Sequence, residues 1–250
     1  ASAAVYNFEI PYSVEELIDA TCELISRNGF RSCYVRPICF MGSGSLGVLP
    51  KNCPTEVSIM AWNWAAYLGA EGLERGVRIT VSPWRKFHSS MMPTTAKACG
   101  QYLNSILAVS DAFRRGFDEA LLLDMDGRLA EGSGENLFVI KNGTIYTNNA
   151  EDSILLGITR GAAIEIARTL GFAVETKSLE LDDLLHADEA FFTGTAAEIT
   201  PVREVDDAII GDGKRGAITE QIQKTFFDAV TGRDARFAKW LHPVERLVTA

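Results

Sequence analysis

Histidine is scarce in this 250-residue chain. The three present, His88, His186 and His242, stand too far apart in sequence to suggest a metal-ligand cluster, and no metal is expected. The five cysteines (Cys22, Cys33, Cys39, Cys53, Cys99) are odd in number and form no C-x-x-C pair. That spacing argues against zinc ribbons and dithiol redox motifs, and predicts reduced thiols in a cytoplasmic compartment. Positive charge is also short, with 24 Lys and Arg against 33 Asp and Glu and a net charge of -9. Such a balance argues against a nucleic-acid partner, which calls for a basic surface. No apolar run reaches the roughly 18 residues of a spanning helix, so no membrane partner is expected. Repeats and low-complexity linkers are missing too. The opening ASAAVYNFEI has neither an initiating Met nor a basic stretch before an apolar core, and reads as a continuation rather than a leader.

What is present describes an ordinary globular chain, 47% hydrophobic and 23% charged, long enough for one large or two smaller cores. Ser13-Val14-Glu15-Glu16 matches a capping box and predicts a helix that ends at Asn28-Gly29. Strands are expected over 32–40, 56–62, 77–82, 120–124, 137–140, 145–147, 173–177 and 189–193. A Gly-rich loop is expected over 42–47. Asp126-Gly127 and Asn142-Gly143 are hairpin signals. Helices are expected near 102–114, where Tyr102, Leu103, Ile106 and Leu107 share a face, and over 159–170, 181–185 and 218–230. The mixture is α/β (α+β mixed), without the regularity of a doubly wound sheet. A domain junction is placed near Trp64 to Gly72.

One lysine stands apart. From Phe87 to Ser110, Lys97 is the only formally charged residue, and small residues flank it in Pro93-Thr94-Thr95-Ala96-Lys97-Ala98-Cys99-Gly100. A lysine at a helix start commonly lays its stem on apolar surface and keeps its ammonium in water. The alternative is a nucleophilic amine, whose lone pair desolvation exposes for Schiff-base chemistry. Two kinds of partner lie downstream. Glu131-Gly132-Ser133-Gly134-Glu135 places carboxylates in a glycine-flexed segment, which is either a solvated turn or the holder of a buried acid. Leu155-Leu156-Gly157-Ile158-Thr159-Arg160 opens a helix whose first amides suit a phosphate, and Gly194-Thr195-Ala196-Ala197 follows a strand with further backbone donors. Each segment alone has an ordinary structural explanation. Together they meet the demands of pyridoxal phosphate (PLP): a lysine for its aldehyde, a carboxylate for its ring nitrogen and a phosphate cradle.

In YVRPICF (34–40), WAAYLGAEGLERG (64–76), PTTAKACGQYLNSIL (93–107), EGSGENLFVIKNG (131–143), LLGITR (155–160) and FFTGTAAEITPV (191–202), the chain closely resembles the branched-chain amino-acid aminotransferases. These are PLP enzymes of fold type IV, the D-amino-acid aminotransferase-like fold. The resemblance runs from about Val5 to Trp240 with the motifs in order. It implies two α/β domains with the cofactor at their interface, here 1–66 as the remainder of a small domain, 67–73 as connector and 74–250 as the large domain. It implies transamination between leucine, isoleucine or valine and 2-oxoglutarate. Lys97 would hold the cofactor as a Schiff base and then move the proton. Glu131 would pair with the ring nitrogen, Tyr102 would bond the phenolic oxygen and Leu155 would pack on the ring. Gly157, Ile158 and Thr159, with Gly194 and Thr195, would hold the phosphate, and Glu135 and Asn136 would support them. On the substrate side, Tyr34, Trp64 and Tyr67 resemble the pocket aromatics, and Arg36 the arginine that meets the glutamate side chain. The amides of Thr195 and Ala196 would take the α-carboxylate. A homodimer is implied as the minimum unit, with a hexamer common in bacterial relatives and the loop 44–48 reaching over a neighbouring subunit's site. The family pattern starts about sixty residues before Ala1, a length within the small-domain range, and that part includes an arginine on the phosphate. Weak cofactor retention is therefore expected of the 250-residue chain alone. D-amino-acid aminotransferases and aminodeoxychorismate lyases share the Lys and Glu roles. A Schiff-base aldolase, or an inactive fragment kept for oligomerisation, remains a further alternative.

Overall fold

The computed structural model describes residues 1–64 and 67–245. The chain divides into two compact units, Ala1–Ala65 with His242–Ala250 and Ala66–Leu241.

The first unit holds helices α1 (Ser2–Val5) and α2 (Val14–Arg27) and strands β1 (Tyr34–Met41) and β2 (Thr55–Trp62). α2 begins at the expected capping box: Ser13 Oγ accepts from Glu16 N at 3.1 Å, and Ser13 N donates to Glu16 Oε2 at 2.7 Å. It ends at Asn28, with Gly29 in the left-handed region at φ 64°. β1 and β2 pair antiparallel, Tyr34 opposite Trp62 through to Met41 opposite Thr55. Two strands leave both sheet edges open, and no described residue before Gly72 is buried. Such a hairpin has little independent stability. In the expected Gly-rich loop Leu46 stands fully exposed, and just after it Val48 is fully exposed and Leu49 largely so.

The second unit starts with α3 (Gly69–Arg75) and β3 (Val77–Val81), then α4 (Tyr102–Arg114), β4 (Glu119–Leu123), β5 (Leu129–Gly132), β6 (Asn136–Lys141) and β7 (Thr144–Thr147). α5 (Ile158–Thr169), β8 (Val174–Thr176), α6 (Leu181–Leu185), β9 (Glu189–Gly194), β10 (Glu198–Val205), β11 (Ala208–Ile209) and α7 (Ala217–Val230) follow. The strands form one sheet in the order β5-β4-β3-β10-β9-β6-β7-β8, with β11 on β10. β5 lies at one end of that order and β6 near its middle, yet only Ser133–Glu135 separate them. The sheet therefore curls, and Gly132 N donates to Glu135 O at 2.7 Å across the join. Central strands are apolar on both faces, as a doubly covered sheet requires. Leu137, Val139 and Phe192 enter one core, while Phe138, Ile140 and Phe191 face α5 and α7 through Ile166, Ile222 and Phe226. No helix among the described residues is long and apolar enough to cross a membrane.

α1, α3, β5, β10 and β11 go beyond the expected elements, and three points bear on the site. β10 contains Pro201, which argues against a central strand. Its pairing with parallel β3 starts at Val202, opposite Val77, so Pro201 lies just before the ladder on that side. The segment at Glu131 is a buried strand end, not a turn. Lys97 lies ahead of the expected helix: a 3-10 turn at Cys99–Gln101 leads into α4, which begins at Tyr102.

Candidate active site

The second unit gathers its polar residues where β5, β6 and β9 end or begin together. Glu131, on β5, is 7% exposed. Its Oε1 meets Lys86 Nζ at 2.6 Å, and its Oε2 accepts from Leu155 N at 2.9 Å and Asn136 Nδ2 at 3.3 Å. Among the described residues every hydrogen-bond partner of this carboxylate is a donor. Asn136 opens β6 and acts as a clamp: its Nδ2 also donates to Leu155 O at 2.7 Å, and its Oδ1 accepts from Gly157 N at 3.2 Å. A Cβ on Gly157 would come within 2.3 Å of that same Oδ1, so the position admits no side chain while the clamp is closed. The cleared space that the sequence pattern assigned to a phosphate here serves the asparagine.

Gly157 is the N-cap of α5 and has no side chain to cap it, which leaves the first-turn amides to partners from outside the helix. Ile158 there is exposed and Thr159 buried. Arg160 turns inward, away from this helix start. Its Nη2 donates to Asn148 O at 2.6 Å and its Nε to Thr147 Oγ1 at 3.4 Å, tying α5 to the end of β7. Gly194 ends β9 beside Gly134, whose carbonyl a Cβ would approach to 3.3 Å. Thr195 and Ala196 follow in the turn to β10, Thr195 exposed and Ala196 half-buried. Thr193, opposite Asn136 in the β6–β9 ladder, buries a hydroxyl without a hydrogen-bond partner.

Lys97 is exposed. Its ammonium lies 5.6 Å from the Tyr102 ring centroid, and its charge reaches both Glu131 and Glu135. The buried lysine of this unit is Lys86, 8% exposed, which no sequence motif singles out.

Behind Glu131 lie two more acids. Glu119 is fully buried; its Oε1 accepts from Ala120 N at 2.6 Å and its Oε2 has no partner. Burial raises its carboxyl to about 6, against bonds from Ala120 N and Ser133 that lower it. Glu135 is pushed well above the ordinary carboxylate range, first by burial and then by the charge of Glu119. Tyr67 shares the Ser133 hydroxyl with Glu119, and its own phenol is raised to about 12 by burial, Glu119 and Glu135. Burial and mutual repulsion between Glu119 and Glu135 both disfavour the doubly ionised pair.

In the first unit, Tyr34, Trp62 and Trp64 form a cluster. Ring centroids lie 5.1 Å apart for Tyr34–Trp62, 4.7 Å for Tyr34–Trp64 and 5.5 Å for Trp62–Trp64. The Arg36 guanidinium lies 5.1 to 5.8 Å from all three centroids, and its Nη2 donates to Tyr34 Oη at 3.4 Å. Among the described residues Arg36 makes no ion pair with a carboxylate. Trp62 belongs to no motif of the sequence; the signal for it is its place opposite Tyr34 in the hairpin register.

A buried all-donor-lined carboxylate, an exposed lysine and an uncapped helix start form a donor set that fits PLP. The class IV amino-transferase family model matches residues 1–205, and the chain belongs to that family. It is 44% identical over 239 residues to the branched-chain-amino-acid aminotransferase of Pseudomonas aeruginosa, covering 96% of this chain and 78% of that protein. The solved Escherichia coli branched-chain amino acid aminotransferase superposes with a TM-score of 0.95 at 44% identity, over 98% of this chain and 81% of that one. A further solved branched-chain amino acid aminotransferase, from T.th. and holding pyridoxamine 5'-phosphate, gives a TM-score of 0.93 at 46% identity, over 98% and 80%. Within the family, the chain therefore falls among the branched-chain-amino-acid aminotransferases.

Proposed function

We propose that the chain catalyses PLP-dependent transamination between leucine, isoleucine or valine and 2-oxoglutarate, giving branched-chain 2-oxo acids and L-glutamate. The observation that carries this reading is the buried Glu131, gripped by donors, with the exposed Lys97 within its electrostatic reach. PLP, when bound, supplies a conjugated electron sink for the bonds at the substrate Cα. The chain's own residues do the rest. Glu131 accepts the ring N–H. Lys97 would provide the amine that holds the aldehyde and would then move the proton at the substrate Cα. Tyr102 donates to the phenolic oxygen and Leu155 covers the ring. The amides at Ile158 and Thr159, with Gly194 and Thr195, would hold the phosphate by dipole and hydrogen bond, while the Gly157 amide is taken by Asn136 Oδ1. Thr195 and Ala196 amides take the substrate α-carboxylate.

One substrate side chain is apolar and the other anionic, so the pocket needs aromatic walls and one reachable cation. The resemblance assigns Tyr34, Trp64 and Tyr67 as walls and Arg36, unpaired with any described carboxylate, as the cation. Arg36→Ala is expected to raise KM for glutamate by about 10- to 100-fold, the worth of a charge-assisted bond, and KM for leucine far less. Steady-state kinetics with both amino donors test this, and equal increases would refute the role.

The assembly proposed is a homodimer or larger homo-oligomer, a hexamer included. Two exposed apolar surfaces support it. On α4, Leu103, Ile106, Leu107 and Phe113 face outward, while the buried side of the helix is carried by Ala108 and Ala112. Leu46, Val48 and Leu49 stand out on the loop after β1. Exposed stripes of this kind mark protein contacts. Sedimentation of the purified protein is expected to give a dimer or more, and a monomer at micromolar concentration would remove the proposal. Five unbonded thiols fit a reducing, cytoplasmic setting.

A further inference from the structure

We propose that Lys86 is a positioning residue for the cofactor, the fixed counter-charge that keeps Glu131 an anion, so that the proton reaching the ring nitrogen comes from solvent and not from Glu131. The inference rests on the PLP reading above, and concerns a residue that no motif and no family role assigned.

The geometry begins with the backbone. Lys86 N donates to Leu123 O at 2.8 Å, which fixes the residue at the end of β4. Its side chain is about nine-tenths buried, as is that of Glu131, and the two meet at 2.6 Å. The remaining face of the ammonium rests against Phe87, 4.5 Å from the ring centroid. A protonated carboxyl is a donor and needs an acceptor. Among the described residues an ammonium bonds Oε1 of Glu131 and two N–H groups bond Oε2, and none offers it an acceptor. The shell is built for the carboxylate.

Three titratable groups face Glu131: Lys86 from the segment after β3, Lys97 from the loop before α4 and Glu135 from the β5–β6 join. Burial pushes Glu131 up from its ordinary value. Lys86 is the first of the groups that pull it back, ahead of Leu155 N–H and Lys97. Without Lys86, the cheapest way to keep this acid buried is to protonate it.

The proton balance then differs between forms. With Lys86 in place, Glu131 is an anion before binding, and the ring N–H bond forms with a proton taken up from water. Without Lys86, Glu131 already carries that proton and passes it to the ring nitrogen, its own O–H bond breaking as N–H forms, with no uptake. All other proton changes on binding are common to both forms and cancel in the difference.

Two measurements test this on the full protein. PLP is titrated calorimetrically into cofactor-stripped enzyme in buffers of different ionisation enthalpy near neutral pH. The wild type is expected to take up about one more proton per PLP than Lys86→Met or Lys86→Gln, and Lys86→Arg to match the wild type. Equivalently, wild-type affinity falls about tenfold more per pH unit than that of the two neutral variants. Equal uptake in all four overturns the proposal. The second measurement needs no cofactor. The infrared difference spectrum of wild type minus Glu131→Gln is expected to lack a protonated-carboxyl band, whereas Lys86→Gln minus the double variant with Glu131→Gln shows one. A Glu131 acid band in the wild type overturns the proposal even if no Lys86 variant folds. Failure of the wild type to bind PLP would instead strike the PLP reading, leaving the infrared result to judge Lys86.

Discussion

Lys97→Ala is expected to lower leucine–2-oxoglutarate exchange by at least about a thousandfold, because one amine both holds the aldehyde and carries the proton. The fold should barely notice. The Lys97 side chain is exposed, and its loop is fixed by neighbours: Ala96 is fully buried, Ala96 N bonds Pro93 O at 3.2 Å and Gln101 Nε2 bonds the same carbonyl at 2.8 Å. Thermal unfolding of the variant should therefore match the wild type while turnover disappears. Borohydride reduction of the PLP-loaded wild type should place the label on Lys97, and Lys97→Ala should take none. A variant that turns over at the wild-type rate, or a label on Lys86, would overturn the assignment.

How far the sequence revealed this centre depends on how local each signal was. Helix α2 was legible because its start signal is contained in four residues whose hydrogen bonds close on each other. The Asn142-Gly143 turn was legible for a similar reason. Both residues adopt positive φ, 49° and 77°, and only a few residue types do so at low cost. Lys97 stood out by its lack of charged neighbours, also a local property. Lys86 did not, since its meaning comes from a carboxylate 45 positions on and a carbonyl at the end of β4. The same holds for Glu119, whose partners Ser133 and Glu135 meet it only through the sheet. Asn136 was legible as a support, but not as a clamp closing on both Leu155 and Gly157. A small-residue position can serve a ligand or a neighbour, and at Gly157 the structure shows the neighbour.

Glu131→Ala is expected to destabilise the second unit by about 3–5 kcal/mol, the usual cost of removing one partner from a buried ion pair. The loss leaves the Lys86 ammonium, the Asn136 amide and the Leu155 N–H facing a void where three donors had one acceptor. Glu131→Gln, which keeps an oxygen but adds a donor, should fall between the wild type and Glu131→Ala. The decisive comparison is Lys86→Met combined with Glu131→Leu. If the damage in Glu131→Ala comes from the orphaned ammonium, removing both charges should recover most of it, because apolar replacement of a whole buried pair is often near neutral. If it comes from lost packing or from the two orphaned N–H groups, the double variant should stay as unstable as the single one. Denaturant midpoints at constant slope separate these outcomes, and a Glu131→Ala loss under about 1 kcal/mol would show that the pair is not truly desolvated. Whatever its stability, the double variant should bind PLP poorly. Its carboxylate is gone, and an apolar floor cannot accept the ring N–H. Stability recovered without cofactor affinity would show that the Lys86–Glu131 pair is kept for chemistry, and that the fold can do without it.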